Sequence, residues 1–317
     1  NADYFQKTVD GLLFTPAASL YLGTVPSPIA NIGATKTSGF DFTLNYNESI
    51  GKNLKFNTAL TFTTATNLVT ATNDNGTAKI LGGFYFNGQS QSVTVFEKGF
   101  APGYFYGYKT AGLFQNAADI AASAKQAGAQ PGDIKYVDMN GDGVINASDQ
   151  TNIGNPFPKF TMGWSLNLSY KNFDFNTFLY ASVGNDIYRA YERNANFSNK
   201  DRSVLGRWTG EGTTNDARLP RYSFVDANSN IRVSDRYVED GSFLKINNIQ
   251  LGYTFNTPAS KKWFNSIRVY AQVKNAFVFT KYTGFDPEIA GGILDTGIDR
   301  GAYPQARTFA FGFDIKL

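Results

Sequence analysis

Large apolar side chains occupy every second position along the last nine residues of the chain. In the segment 307–317, which reads RTFAFGFDIKL, every residue of one parity from position 309 onward is apolar, namely Phe309, Phe311, Phe313, Ile315 and Leu317. The other parity carries Ala310, Gly312, Asp314 and Lys316. Because side chains on a β-strand point alternately to its two faces, this pattern predicts a strand with one wholly apolar face. Such a face needs an apolar environment along its whole length, and a lipid bilayer supplies one.

The same alternation recurs elsewhere in the chain. Leu166 and Leu168 share one parity and Asn167 lies on the other, and Phe175 and Asn176 repeat the contrast in the next segment. A strand of a soluble β-sandwich also alternates, so the repetition matters more than any one strand. The polar parity is rich in Asn, Thr, Ser and Gln, which suits a water-filled lumen. We expect lipid to contact Leu166, Leu168, Phe175 and Phe311, and the lumen to be lined by Asn57, Asn167, Asn176, Tyr270, Gln272 and Gly312.

The pattern therefore predicts an all-β fold, a transmembrane antiparallel β-barrel or part of a larger one. Segments close to the ~10 residues that a tilted spanning strand needs occur at 3–14, 35–47, 52–66, 159–171, 172–184, 241–256, 265–276 and 307–317. Short links lie near 47–53, 170–173 and 256–265, and long polar stretches cover 15–33, 68–158, 184–240 and 275–306. Outer-membrane barrels have short periplasmic turns and long outer loops. The long stretches are therefore predicted to be extracellular, including a loop insertion at 112–158.

Composition excludes several classes of protein. The 317 residues include neither Cys nor His, which removes disulfide frameworks, thiol sites and enzymes built on Ser-His or Cys-His pairs. No segment approaches the ~20 consecutive apolar residues of a membrane helix. The formal net charge is only +3, and the basic residues are scattered, so the sequence predicts no nucleic-acid partner. We expect no catalytic residues.

The start of the chain has none of the features of a secretion signal. Residue Asn1 is not preceded by Met, and neither a charged n-region nor an apolar h-region follows it. A strand is predicted from residue 3 onward. We interpret the sequence as an internal or C-terminal piece of a longer secreted chain.

One segment has the spacing of a calcium-binding loop. Calcium prefers six to eight hard oxygen ligands, and a twelve-residue loop supplies them from positions 1, 3, 5, 7, 9 and 12, with Gly at position 6. In the segment 138–149 these positions hold Asp138, Asn140, Asp142, Val144, Asn146 and Asp149, and Gly143 stands at the turn. Asp149 is shorter than the usual Glu at position 12. The sequence predicts a structural calcium ion here; magnesium, water or an ordinary Asx turn are the alternatives.

A second segment combines aromatic and charged residues. The stretch 207–221 contains Arg207, Trp208, Arg218 and Arg221, together with acids and small polar residues. An aromatic ring beside Arg side chains can stack against and hydrogen-bond a polar ligand. These four residues are candidates for substrate binding, and packing within the loop is the alternative interpretation.

Several ordered motifs resemble one family of membrane proteins. They are GYFYGYKTAGLFQ at 103–115, PGDIKYVD at 131–138, IGNPFP at 153–158, YKNFD at 170–174, GNDIY at 184–188 and EDGSFLKINN at 239–248. Together with the terminal strand they cover most of the chain. In this order they resemble the C-terminal half of TonB-dependent transporters of the SusC/RagA type.

The resemblance implies a barrel of about 22 strands in the outer membrane of Bacteroidota. It also implies an N-terminal plug, a SusD-like surface lipoprotein as a partner, and contact with the TonB complex through an N-terminal region that this sequence does not contain. The function implied is active import of a nutrient, either an oligosaccharide or a peptide. Two other functions remain open from the sequence: a passive porin-like barrel and a secreted, calcium-stabilised, glycan-binding β-domain.

Overall fold

The computed structural model describes residues 1–14, 29–72, 79–86, 90–192, 201–256 and 265–316. In chain order its strands are β1 (Ala2–Phe14), β2 (Ala30–Ile50), β3 (Leu54–Ala71), β4 (Ile80–Phe86), β5 (Ser90–Phe96), β6 (Tyr104–Gly107), β7 (Thr110–Leu113), β8 (Ile134–Tyr136), β9 (Thr151–Gly154), β10 (Phe160–Tyr170), β11 (Phe173–Val183), β12 (Asp186–Arg189), β13 (Val238–Asp240), β14 (Phe243–Asn256), β15 (Ser266–Thr280), β16 (Ile298–Asp299) and β17 (Thr308–Lys316). Within these ranges, one helix, α1 (Ala117–Ala121), and three short 3-10 helices lie in the connections. Across the described ranges, no helix has the length and apolar character needed to cross a membrane.

Eight strands form one antiparallel sheet in the order β1-β2-β3-β10-β11-β14-β15-β17. They correspond one to one to the eight segments predicted from alternation, so the predicted fold class is confirmed. Strand order follows chain order, as expected of an up-and-down barrel wall. Leu317 and most of the predicted short link after β14 lie outside the described residues.

The register of this sheet separates two chemically different faces. One row of paired positions runs across six strands through Phe56, Leu168, Phe175, Leu251, Ala271 and Phe311. The neighbouring row, one residue along and therefore on the opposite face, runs through Asn57, Asn167, Asn176, Gln250, Gln272 and Ala310. We call these the apolar face and the amide face. The side-chain assignments made from parity agree with this register.

The strands β2 and β3 extend beyond the segments predicted for them, to 21 and 18 residues. Their outer ends pair with each other, for example Lys36 with Leu68. There Val69 of β3 is buried in a small cluster with Phe14 of β1 and Phe96 of β5.

The long connections fold together into a second region, which we call the loop body: the described residues of 79–158, 184–240 and 281–306. It contains three small sheets, β4-β5-β6-β9, β13-β12-β16 and β7-β8. One of its cores joins all three connections and consists of Val93, Phe105, Tyr188, Val233, Tyr237 and Ile298. The predicted insertion 112–158 does not stand alone, because the Ile134 N–H donates to Asn230 Oδ1 at 2.8 Å.

Candidate functional site

The segment 138–149 is folded by its own side chains. The two carboxylate oxygens of Asp138 accept the N–H groups of Gly141 and Gly143, each at 2.7 Å. Both glycines have positive φ, +76° and +80°, which only Gly adopts without strain. Asp142 Oδ1 accepts the Val144 N–H at 2.8 Å. This bond is the main reason that the pKa of Asp142 is lowered, and amide bonds from Asn140 and Asn146 add to the effect.

Asp149, at the last ligand position, has a different environment. Its carboxylate is fully buried, and it accepts the Met139 N–H at 2.9 Å and the Asn146 N–H at 2.7 Å. The second of these bonds belongs to a capping box at the short 3-10 helix Ala147–Asp149. Asp149 therefore closes the loop against its own backbone.

The donor set of this loop suits a hard cation, although its carboxylates alone do not form a metal site. Among the described residues, no group of three or more acidic, His or Cys side chains is placed to hold a metal ion. Any ion would therefore depend on the exposed oxygens of Asp138, Asn140 and Asp142 and on amide or carbonyl oxygens beside them. Calcium accepts such mixed oxygen ligands, so the residues fit the ion by type.

The four candidate substrate residues each have partners within the loop body. Trp208 and Arg221 both contact Gly132, where a Cβ atom would lie 2.3 Å from the Trp208 ring and 2.8 Å from Arg221 Cβ. Arg207 Nη1 donates to the Val204 carbonyl at 3.3 Å. Arg218 Nη2 donates to Asp216 Oδ2 at 2.7 Å, and this bonding lowers the pKa of Asp216.

Trp208 and Arg221 both contact buried residues inside the loop body. Trp208 packs against the buried cluster that contains Leu113 and Tyr136. Arg221 Nε donates at 2.7 Å to Asp133, whose side chain is fully buried. Asp133 also accepts the Asn230 amide at 3.0 Å. The carboxylate of Asp133 is thus satisfied inside the loop body, and Arg221 is one of its partners.

The amide face carries a continuous hydrogen-bonded chain of carboxamides. Asn176 Nδ2 donates to Asn167 Oδ1, Asn248 Nδ2 donates to Asn176 Oδ1 at 2.7 Å, and Gln272 Nε2 donates to Asn248 Oδ1 at 2.6 Å. The chain crosses β10, β11, β14 and β15. Each carboxamide offers both a donor and an acceptor without a net charge. Such a surface can bind neutral, hydrogen-bonding solutes or other polar protein segments.

A charged cluster lies on the same face near the ends of the strands, and parity alone did not reveal it. Arg268 donates to both oxygens of Asp174, at 2.8 and 2.6 Å, and to Asp314 at 2.9 Å. The ion pair between Arg268 and Asp174 crosses Gly252, where a Cβ atom would lie 2.4 Å from the Asp174 carboxylate. The sequence signal is an Arg at a polar-parity position between Ile267 and Val269.

A second missed residue joins the sheet to the loop body. Lys245 pairs in register with Tyr180, so it lies on the amide face, and its side chain is only 4% exposed. Its ammonium group bonds Glu288 and donates to Gln305 Oε1 at 2.9 Å. Both partners belong to the connection between β15 and β17. That connection is therefore held over the amide face.

Comparison with known proteins agrees with this architecture. No family model matches the chain. It is 32% identical, over 99% of its length, to TonB-dependent receptor P3 of Formosa agariphila, and 27% identical, also over 99%, to TonB-dependent receptor SusC of Bacteroides thetaiotaomicron. It covers 32% and 29% of these relatives, so it spans about a third of their length.

Solved structures give the same fold. A structure of the RagAB peptide transporter aligns with a TM-score of 0.77 at 21% identity, over 99% of this chain and 32% of the other. The same importer in its closed-closed state aligns with a TM-score of 0.72. The relatives are named as receptors and the neighbours as transporters or importers. The chain therefore matches, over almost its whole length, about a third of a SusC/RagA-type TonB-dependent receptor, and it folds as part of an outer-membrane β-barrel.

Proposed function

We propose that the full-length receptor containing this chain imports a nutrient across the outer membrane by a TonB-dependent mechanism. The observation that carries the proposal is the 32% identity to a TonB-dependent receptor across 99% of the chain. The sheet supports it, because its apolar face suits lipid and its amide face suits a solute path or a polar domain inside the barrel.

The mechanism proposed is binding and conformational gating, with no covalent step. The amide face presents donors and acceptors to a solute, and the connection held by Lys245 covers part of that face. The substrate class is an oligosaccharide or a peptide. Both are rich in neutral hydrogen-bonding groups, and the RagAB protein whose fold aligns with this chain is a peptide transporter.

We propose a SusD-like surface lipoprotein as the partner on the extracellular side. The loop body exposes apolar side chains, including Phe224 at 78% and Val225 at 73% exposure. Their neighbour Tyr222 lies 5.8 Å from Phe224 between ring centroids. Exposed aromatic residues in a polar surround are typical of protein interfaces. The TonB complex would act through a part of the receptor outside this sequence.

We also propose that the loop 138–149 binds one calcium ion with a structural role. Asp138, Asn140, Asp142 and Asn146 would supply side-chain oxygens and Val144 a carbonyl, with Asp149 holding the loop closed. The Val144 carbonyl already accepts from the Asn146 amide at 3.1 Å. Calcium would add to a fold that the Asx bonds have already shaped.

Uptake of defined, labelled nutrients tests the import proposal. We would express the full-length receptor with and without its lipoprotein partner, in cells with and without TonB, and measure uptake of labelled oligosaccharides and peptides. We expect uptake to require TonB and to fall without the lipoprotein. Uptake that persists without TonB would favour the passive porin-like alternative, and uptake that needs no lipoprotein would remove only the partner.

A further inference from the structure

A groove of about 510 Å³ lies near the ends of four adjacent strands, and seven of its ten lining residues belong to the apolar face. Its floor is Ala271 on β15. In register, Ala271 is flanked by Leu251 on β14 and Phe311 on β17. The methyl side chain of Ala271 is much smaller than those of Leu251 and Phe311 on either side. This difference in side-chain size accounts for the groove.

The next row of the apolar face forms one end of the groove. It runs through Phe173, Tyr253, Val269 and Phe313. The rings of Phe173 and Tyr253 meet edge to face, with centroids 4.7 Å apart. The groove is centred on β15, which is paired on both sides. Its shape is therefore set by strands β11, β14, β15 and β17 together.

A cation lies on the same face at the same level. Lys171 stands in the two-residue turn between β10 and β11, and its ammonium group lies 5.4 Å from the centroid of the Tyr170 ring. Tyr170 is in register with Phe173 at the end of the groove. Among the ion pairs of the described residues, none involves Lys171.

The short turn places this region at a membrane interface. Short turns of outer-membrane barrels are periplasmic, and aromatic rings with Lys are typical of the interfacial belt. Ala271 is aligned, through Leu251, with Phe175. Phe175 is two residues from Phe173, a rise of roughly 7 Å toward the bilayer centre. Lys171 therefore lies at the membrane interface, where a lipid has its phosphate, and the groove lies closer to the bilayer centre, where a lipid has its acyl chains.

We propose that the groove over Ala271 holds one acyl chain of a phospholipid in the periplasmic leaflet, and that Lys171 binds the phosphate of the same lipid. A free phosphate would gain nothing from the apolar groove. A neutral apolar molecule would gain nothing from Lys171. The proposal depends on the outer-membrane location of the barrel and not on the transported substrate.

The test uses the full-length receptor reconstituted in nanodiscs of phosphatidylethanolamine and phosphatidylglycerol. The receptor is released from the nanodiscs under mild conditions, and native mass spectrometry measures the fraction that retains a bound lipid. Ala271→Trp fills the groove, Lys171→Gln removes the cation, and Leu166→Trp adds the same bulk to the apolar face outside the groove. We expect the lipid-bound fraction to fall about tenfold for Ala271→Trp and about fivefold for Lys171→Gln. Leu166→Trp should leave it unchanged.

Folding of each variant is checked by the electrophoretic shift between heated and unheated barrel. If Ala271→Trp does not fold, Ala271→Leu fills part of the groove and takes its place. An unchanged lipid-bound fraction in the groove-filling variant, or an equal loss in Leu166→Trp, would overturn the proposal. A groove variant that dissociates a receptor dimer while keeping its bound lipid would also overturn it, because the occupant would then be a second copy of the receptor.

Discussion

The eight-stranded sheet and the loop body bury their apolar residues in different ways. In the sheet, large apolar side chains such as Leu251 and Phe311 are 53% and 84% exposed. In the loop body, Val93 and Phe105 are fully buried. The apolar face of the sheet suits lipid, so the sheet needs no protein core there, whereas the loop body buries its apolar residues in cores of its own. Apolar side chains therefore stabilise the two regions by different means.

The largest effect should come from the core of the loop body. Phe105→Ala removes a ring that lies 5.8 Å from the Tyr188 ring and contacts residues from all three connections. We expect the loop body to lose about 3–5 kcal/mol of unfolding free energy. Hydrogen exchange, read separately for the two regions, measures this loss.

The control for that change is Phe311→Ala on the apolar face. It removes a ring of the same size from a position that lipid covers, so exchange in the loop body should be unaffected. If Phe311→Ala accelerated exchange in the loop body as much as Phe105→Ala, the two regions would not be energetically separate.

The next effect tests the two faces of the sheet. Leu166→Arg places a charge on the apolar face and should cost about 2–4 kcal/mol if the position is near the bilayer midplane. Asn167→Arg, one residue along on the amide face, should cost far less. Urea unfolding in lipid vesicles gives both values, and equal costs would show that the faces have been assigned wrongly.

The third effect shows whether Arg221 packs within the loop body or binds a ligand. Arg221→Ala leaves the buried carboxylate of Asp133 with fewer partners, although Asn230 still donates to it. We expect a loss of about 1–3 kcal/mol in the stability of the loop body. Limited proteolysis at increasing urea concentration measures it.

The matched control is Arg218→Ala. Arg218 pairs with its near neighbour Asp216 at an exposed position, so the change should stay within about 0.5 kcal/mol. A loss of substrate affinity in Arg221→Ala without any loss of stability would instead support Arg221 as a binding residue.

Local pattern predicted the sheet well and the loop body poorly, for one physical reason. Whether Leu166 and Asn167 point to opposite faces depends only on their being neighbours in a strand. The contact of Arg268 with Asp174 depends on the register of two further strands and on Gly252 between them. Parity does not specify that register.

The loop body depends even more on distant parts of the chain. Its largest core joins Phe105, Tyr188 and Ile298, which lie in three different connections. The calcium-type spacing at 138–149 was readable because its bonds are local. The full burial of Asp149 is not specified by that spacing, because burial depends on the residues that pack over the loop.

A smaller effect is expected from removing calcium from the loop 138–149. This change distinguishes a calcium site from an ordinary Asx turn. Asp142→Asn retains an oxygen that can accept the Val144 N–H but removes the negative charge. If calcium binds, Asp142→Asn and chelator should each speed proteolysis between residues 117 and 158 several-fold, and Asp142→Ala should do at least as much. Isothermal titration with calcium should show one site in the wild type.

An ordinary turn would give a different result. Asp142→Asn would then behave like the wild type, chelator would change nothing, and only Asp142→Ala would loosen the loop. Because the loop 138–149 belongs to the loop body, neither the Asp142 substitutions nor chelator should alter unfolding of the sheet.

The smallest effect is a pH dependence confined to the loop body. Lys135 Nζ donates to Asp119 Oδ1 at 2.7 Å, and this bond, with a further one from the Gln115 N–H, lowers the pKa of Asp119. A carboxylate with a lowered folded-state pKa contributes stability above its ordinary pKa of about 4, and the contribution is lost as the pH falls through the folded-state value. Since the pair is partly exposed, we expect only about 0.5 kcal/mol. Proteolysis of 112–158 should therefore accelerate modestly between about pH 5 and pH 3, and Lys135→Met should reduce this acceleration while leaving the rate near pH 3 almost unchanged. A pH profile identical in the wild type and Lys135→Met would show that the pair contributes nothing and that other carboxylates of the loop body carry the acid sensitivity.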